Sequence, residues 1–185
     1  MRKMLIPIAA FDYLKTRKRL WLKALVALVP ALVAGLLLRY AAPNNTVAIS
    51  DVFSDFVNAQ ISAVAILISF SIAIITILVS ADNVNMNRLK DTPSKDCKPL
   101  NGIPLSLFQV LLSNISYNVF VEVLYLGILI ALVFVRLYVS EYVCKSLMAV
   151  CAFFIVHILH VLLESVGQMY LTFWKHKDDT MSERT

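Results

Sequence analysis

From Phe56 to Ala81, "FVNAQISAVAILISFSIAIITILVSA", the chain carries no charged side chain. A helix needs roughly 20 residues to cross a hydrocarbon core of ~30 Å, so this run is long enough to span a bilayer. Three other segments share the property. Leu20 to Tyr40 is uncharged between Ala24 and Leu38, and its Pro30 is of a kind that membrane helices tolerate. Residues 118–139 keep Glu122 and Arg136 near their two ends, and residues 146–174 exceed what a span requires, so their last turns should emerge into water. The chain is 59% hydrophobic and 16% charged. A soluble domain carries about a quarter charged residues, and this composition wrapped as a globule in water would expose large apolar patches. The expected fold is an all-α integral membrane protein. It forms a single domain with four transmembrane helices at about 20–40, 59–80, 118–139 and 146–174.

Lysine and arginine fix the expected orientation, because they are retained on the cytoplasmic side. Of the 17 basic residues, all but Arg39, Arg136 and Lys145 fall before or at the start of the first span, between spans two and three, or after the last. Both termini and the 81–117 loop are therefore expected in the cytoplasm. Trp21, Tyr117 and Trp174 would mark the inner boundary, and Tyr40, Tyr138 and Tyr142 the outer one. The basic start followed by an apolar run superficially matches a signal peptide. The run exceeds the usual ~7–15 residues, so an uncleaved span is expected. The three cysteines, Cys97, Cys144 and Cys151, lack CxxC spacing, and no disulfide framework is expected.

The connecting pieces are polar or amphipathic. Met1 to Arg19 mixes apolar residues with "KTRKR", which suits an interfacial helix in the inner headgroup layer or a dock for a soluble partner. Lys15, Arg17, Lys18, Arg19, Arg88 and Lys90 are the candidate residues for lipid or partner docking. Ser50 or Asp51 could cap a helix entering span two. "DNVNMNRLKD" could continue that span beyond the membrane, before the helix-breaking "TPSKDCKPLNGIP". "LSLFQVLLSNISYNVF" has too many polar groups for a fifth span and reads as an interfacial or re-entrant helix before span three.

Two sets of polar groups lie within the spans. Ser62, Ser69, Ala73, Thr76 and Ser80 recur at spacings that place them on one helix face. Small residues and hydroxyls there suit helix packing, within the chain or between copies, or the wall of a pore. In "FIVHILHVLLESVGQMY", His157, His160 and Glu164 share one face of span four. Gln168 prolongs the stripe, and Glu122 of span three should lie at a similar depth. This seam could be structural, proton- or ion-sensitive, or metal-binding. A structural seam needs least, since HxxH is frequent and no further histidine lies in the spans, so no metal is expected. No Gly-rich phosphate loop, HExxH or GxSxG is present, and no cofactor or catalysis is expected.

The layout resembles small four-span membrane proteins of bacterial anti-phage defence. Length and span number are similar to those of the membrane subunit of the Kiwa system. The stretches "AVAILISFSIAIITILVSADNVNMNRLKD" and "FFIVHILHVLLESVGQMYLT" more distantly resemble the membrane protein of the lambda Rex exclusion system. The resemblance implies a homo-oligomeric, non-enzymatic sensor in the bacterial inner membrane, a tetramer being favoured. It would respond to phage attachment or envelope disturbance and signal to a soluble cytoplasmic effector, without binding nucleic acid itself. An ion-conducting, membrane-depolarising effector and a proton-coupled small transporter are the alternatives.

Overall fold

Leu20–Tyr40 (α1), Ile49–Ser80 (α2), Val84–Asp91 (α3), Leu107–Val135 (α4) and Glu141–Ser182 (α5) are the helices of a computed structural model. It describes residues 13–16, 20–40, 48–81, 84–94, 97, 99 and 102–182, with side chains as far as Tyr170 except those of residues 20, 22, 23, 85 and 88. Three helical stretches, Ile49–Ser80, Leu107–Val135 and Glu141–Tyr170, are long and apolar enough to cross a membrane, and Ala24–Tyr40 is a shorter apolar one. The protein is thus all-helical, hydrophobic and multi-span. Many large apolar side chains point outward, among them Leu37, Ile66, Ile77, Phe134 and Leu163. Such a surface is costly in water and ordinary in lipid.

Three expectations from the sequence change in detail. α4 runs unbroken from Leu107 through the segment expected to form a separate interfacial helix, so those residues are its first turns. At 1.5 Å per residue its 29 residues extend about 44 Å, well beyond a ~30 Å core. α2 ends at Ser80 and Ala81 is not helical, so α3 is a distinct eight-residue helix and no continuation of the span. The first carbonyl of α2 to accept is that of Ala48, from Asp51 N at 3.0 Å. Ser50 and Asp51 therefore sit in the first turn, where the Asp51 carboxylate complements the helix dipole, and neither is the cap. Pro30 lies inside α1 without ending it.

α4 has a sequence-encoded start. Gln109 N donates to Ser106 Oγ at 3.2 Å, while Ser106 N donates to Gln109 Oε1 at 3.0 Å, a reciprocal capping box. Ser94 N donates to Leu105 O at 2.7 Å and Leu107 N to Thr92 O at 2.9 Å, which closes the neck of the preceding loop. Gly102 holds φ +84° inside that loop, a left-handed conformation that a side chain would strain.

The described residues fall into two compact units, one within Met1–Leu20, Ser71–Phe120 and Val161–Thr185, the other within Trp21–Phe70 and Val121–His160. In the first, Leu78, Met86, Leu89, Leu111 and Ile115 form the core. Tyr13 is buried there and stacks on Tyr117 with centroids 4.2 Å apart, so this turn of the N-terminal segment packs on protein. The remaining residues expected to form an N-terminal interfacial helix, 1–12 and 17–19, lie outside the described residues. In the second unit Phe53, Val57, Val64, Tyr125, Leu129, Cys151 and Ile158 are central. Gly35 lets α1 and α5 approach so closely that a Cβ there would meet the Ala149 Cβ at 3.3 Å.

Candidate functional site

The buried side of α4 is partly polar. Asn114, Asn118 and Glu122 recur every four residues on one face, each fully or almost fully buried, and continue into Tyr125 and Leu129. Val123, Leu124, Ile128 and Phe134 on other faces are exposed. Helix α4 therefore turns its polar line inward and its apolar side outward, the reverse of a soluble amphipathic helix. That inversion is what a lipid solvent selects, because a buried amide or carboxylate finds partners only inside the protein.

Within the first unit the line meets α5. Asn114 Nδ2 donates to Gln168 Oε1 at 3.1 Å, and Gln168 Nε2 donates to Glu164 Oε1 at 3.2 Å. Gln168 thus links an α4 amide to an α5 carboxylate four residues away. Ser165, also buried, donates its hydroxyl to the Val161 carbonyl at 2.9 Å. Replacing Asn114 and Gln168 with leucine singly and together is expected to give a coupling energy of about 0.5–1.5 kcal/mol in unfolding from detergent micelles. A coupling of zero would mean that this bond adds nothing.

Within the second unit Tyr125 occupies the same face. Its hydroxyl donates to the Cys151 carbonyl at 3.0 Å and lies 3.5 Å from Gln60 Oε1, and its ring stacks on Phe154 at 5.2 Å. His157 stacks on Phe153, centroids 6.1 Å apart and rings nearly parallel. His157 and His160 are both partly buried. Among the described residues no three His, Cys, Asp or Glu side chains converge as a metal site.

The structure thus draws Glu164 and Gln168 of the expected seam together in the first unit, and buries Glu122 in the second. Asn114 and Asn118 are the residues that the sequence reading did not select. The four-residue spacing from Asn114 to Glu122 was the available signal. Ser71 is another: it is fully buried, whereas Ser62, Ser69, Ala73, Thr76 and Ser80 are all exposed. The four hydroxyls of that outward face donate to backbone carbonyls four residues back at 2.7–3.2 Å. They are satisfied within their own helix.

The docking candidates are only partly placed. Lys15 is exposed, as is Lys90, whose Nζ lies 5.7 Å from the centroid of the Phe108 ring, a cation–π contact within the first unit. Arg17, Lys18, Arg19 and the Arg88 side chain lie outside the described residues.

Fold and site together define a class: a multi-span, all-helical hydrophobic protein with a polar network enclosed among its helices. No protein-family model, curated protein or solved structure matches the chain.

Proposed function

We propose that the protein is a non-enzymatic sensor subunit of the bacterial inner membrane that hands a signal to a soluble cytoplasmic effector. The observation that carries this reading is, within the first unit, the buried Asn114 of α4 bonded to Gln168 of α5 and through it to Glu164. Ionisable and amide groups inside a span are expensive to keep and mark function more often than chance. Asn and Gln amides each both donate and accept, so exchanging those roles would give such a network a second arrangement, which is what a two-state element needs. The chain would cross the bilayer four times, with both termini and residues 81–117 inside, as the distribution of Lys and Arg favours. Residues 1–19 would lie in the inner headgroup layer. Copies would associate through the outward, self-satisfied face Ser62–Ser80, a tetramer being favoured. The resemblance to anti-phage membrane proteins supplies the trigger: phage attachment or another disturbance of the envelope.

Cysteine labelling tests the arrangement. In a background without Cys97, Cys144 and Cys151, Tyr138→Cys is expected to react with an impermeant maleimide on intact cells, and Ile103→Cys only after permeabilisation. Both positions are exposed. The reverse pattern would refute the topology. The effector is tested by co-expression with the soluble proteins encoded beside this gene. One of them should co-purify, and changing Lys15, Arg17, Lys18 and Arg19 to glutamate should abolish its recovery. If none is retained by the native protein, the sensor–effector reading fails.

A second reading has one observation in its favour. The outward hydroxyls of α2 would line a lumen if copies turned this face toward a common axis, giving an ion-conducting effector. Conductance of the purified protein in planar bilayers would support it over the first reading.

A further inference from the structure

We propose that the second unit carries a binding site for the headgroup of an anionic phospholipid, in a cleft between the end of α1 and the start of α5. The cleft has a volume of about 300 Å³ and is lined by Gly35, Arg39, Tyr142, Lys145, Ser146 and Ala149. Its floor is the close approach of Gly35 to Ala149, where the missing side chain leaves room and an added Cβ would meet Ala149 at 3.3 Å. Its walls hold two cations and two hydroxyl groups, and no carboxylate lines it. Glu141, in the first turn of α5, is exposed and is not part of the lining.

The chemistry of the lining points to phosphate. An arginine guanidinium presents a planar fork of donors that matches two phosphate oxygens, and lysine adds a compact charge. Tyr142 lies in the first turn of α5, where the helix dipole favours an anion, and the Arg39 charge offsets the opposite pole at the end of α1. Two like charges sharing one cleft repel each other, and an anion between them converts that repulsion into attraction.

The position of the cleft points to lipid. Arg39 is the first charge after the uncharged stretch Ala24–Leu38, and Lys145 the last before the uncharged stretch from Ser146 to Val156. Both cations therefore stand at the rim of apolar helix surface, at the level where a bilayer places its phosphates. Leu36 and Leu37 beside the cleft on α1, and Val150 on α5, are exposed and would meet acyl chains. A zwitterionic headgroup would bring its own ammonium against Arg39 and Lys145, so the site selects a net negative lipid. This inference rests on membrane insertion and is independent of any effector.

The test is native mass spectrometry of the full-length, detergent-solubilised protein titrated with phosphatidylglycerol, phosphatidylcholine or sn-glycerol 3-phosphate. Phosphatidylglycerol is expected to be retained at a concentration about tenfold below that needed for phosphatidylcholine, with glycerol phosphate not retained. The double variant Arg39→Gln/Lys145→Gln should lose most of that preference while keeping its helical circular dichroism. The N-terminal cations remain in place and set the residual binding. Gly35→Leu, which fills the floor and leaves both cations, should lose it as well. Equal retention of the two lipids, an undiminished preference in the double variant, or binding of glycerol phosphate as tight as that of the lipid would each overturn the proposal.

Discussion

Tyr125→Ala is expected to destabilise the folded protein by about 3 kcal/mol, measured as loss of helical signal and compactness on titration from a mild detergent into sodium dodecyl sulfate. Tyr125 is 1% exposed, stacks on Phe154 and donates to the Cys151 carbonyl. Removing the ring leaves a void enclosed by α2, α4 and α5 side chains, and a void that lipid cannot enter forfeits dispersion contacts on every side. Tyr125→Phe keeps the ring and gives up one hydrogen bond, so its cost should stay near 1 kcal/mol or less, in keeping with the ~0.6 kcal/mol typical of such bonds in membranes. The ratio between the two variants is the informative quantity. If both cost the same, the hydroxyl and not ring packing holds this part of α4.

Glu122→Lys should be the more damaging change, preventing accumulation of folded protein in the membrane fraction. Glu122 has no exposed surface and is bounded along α4 by Asn118 and Tyr125, so a longer side chain of opposite charge has neither room nor a route to water. An uncompensated charge buried in protein costs roughly 3–5 kcal/mol, before any packing loss is added. Glu122→Gln preserves size and hydrogen-bonding capacity and should accumulate normally. Tyr138→Lys, at a position 89% exposed just beyond α4, should also leave the yield unchanged. Normal yield of Glu122→Lys would show that this carboxylate faces a wet cavity and not protein.

Most of the helices could be read in the sequence because long uncharged runs have few other fates. What could not be read was phase. On α2 nearly every residue is apolar or small, so sequence offers little reason to prefer one side. The side marked by Ser62, Ser69 and Thr76 faces outward, while Val64, Ser71 and Leu78, seven residues apart, face inward. On α4 the same uncertainty took another form. The polar content of Ser106, Gln109, Ser113, Asn114 and Ser116 argues against a fifth span, whereas its periodicity argues for one buried helix face. Placed on a helix, Asn114 and Asn118 fall in register with Glu122, and the segment before span three is continuous with it. The break after Ser80 had no proline or glycine to announce it. Glu164 and Gln168 were legible because a helical period alone sets them together. Asn114 as their partner was not, because that bond joins residues 54 positions apart.

The backbone bonds Ser94 N–Leu105 O and Leu107 N–Thr92 O, with the capping box directly after them, separate the length of the intervening segment from the geometry at its base. Residues gained or lost within 95–104, inside both bonds, would leave the start of α4, and hence the phase of every side chain along it, untouched. This is the stretch in which kindred chains can differ in size and still keep Asn114, Asn118 and Glu122 turned toward protein.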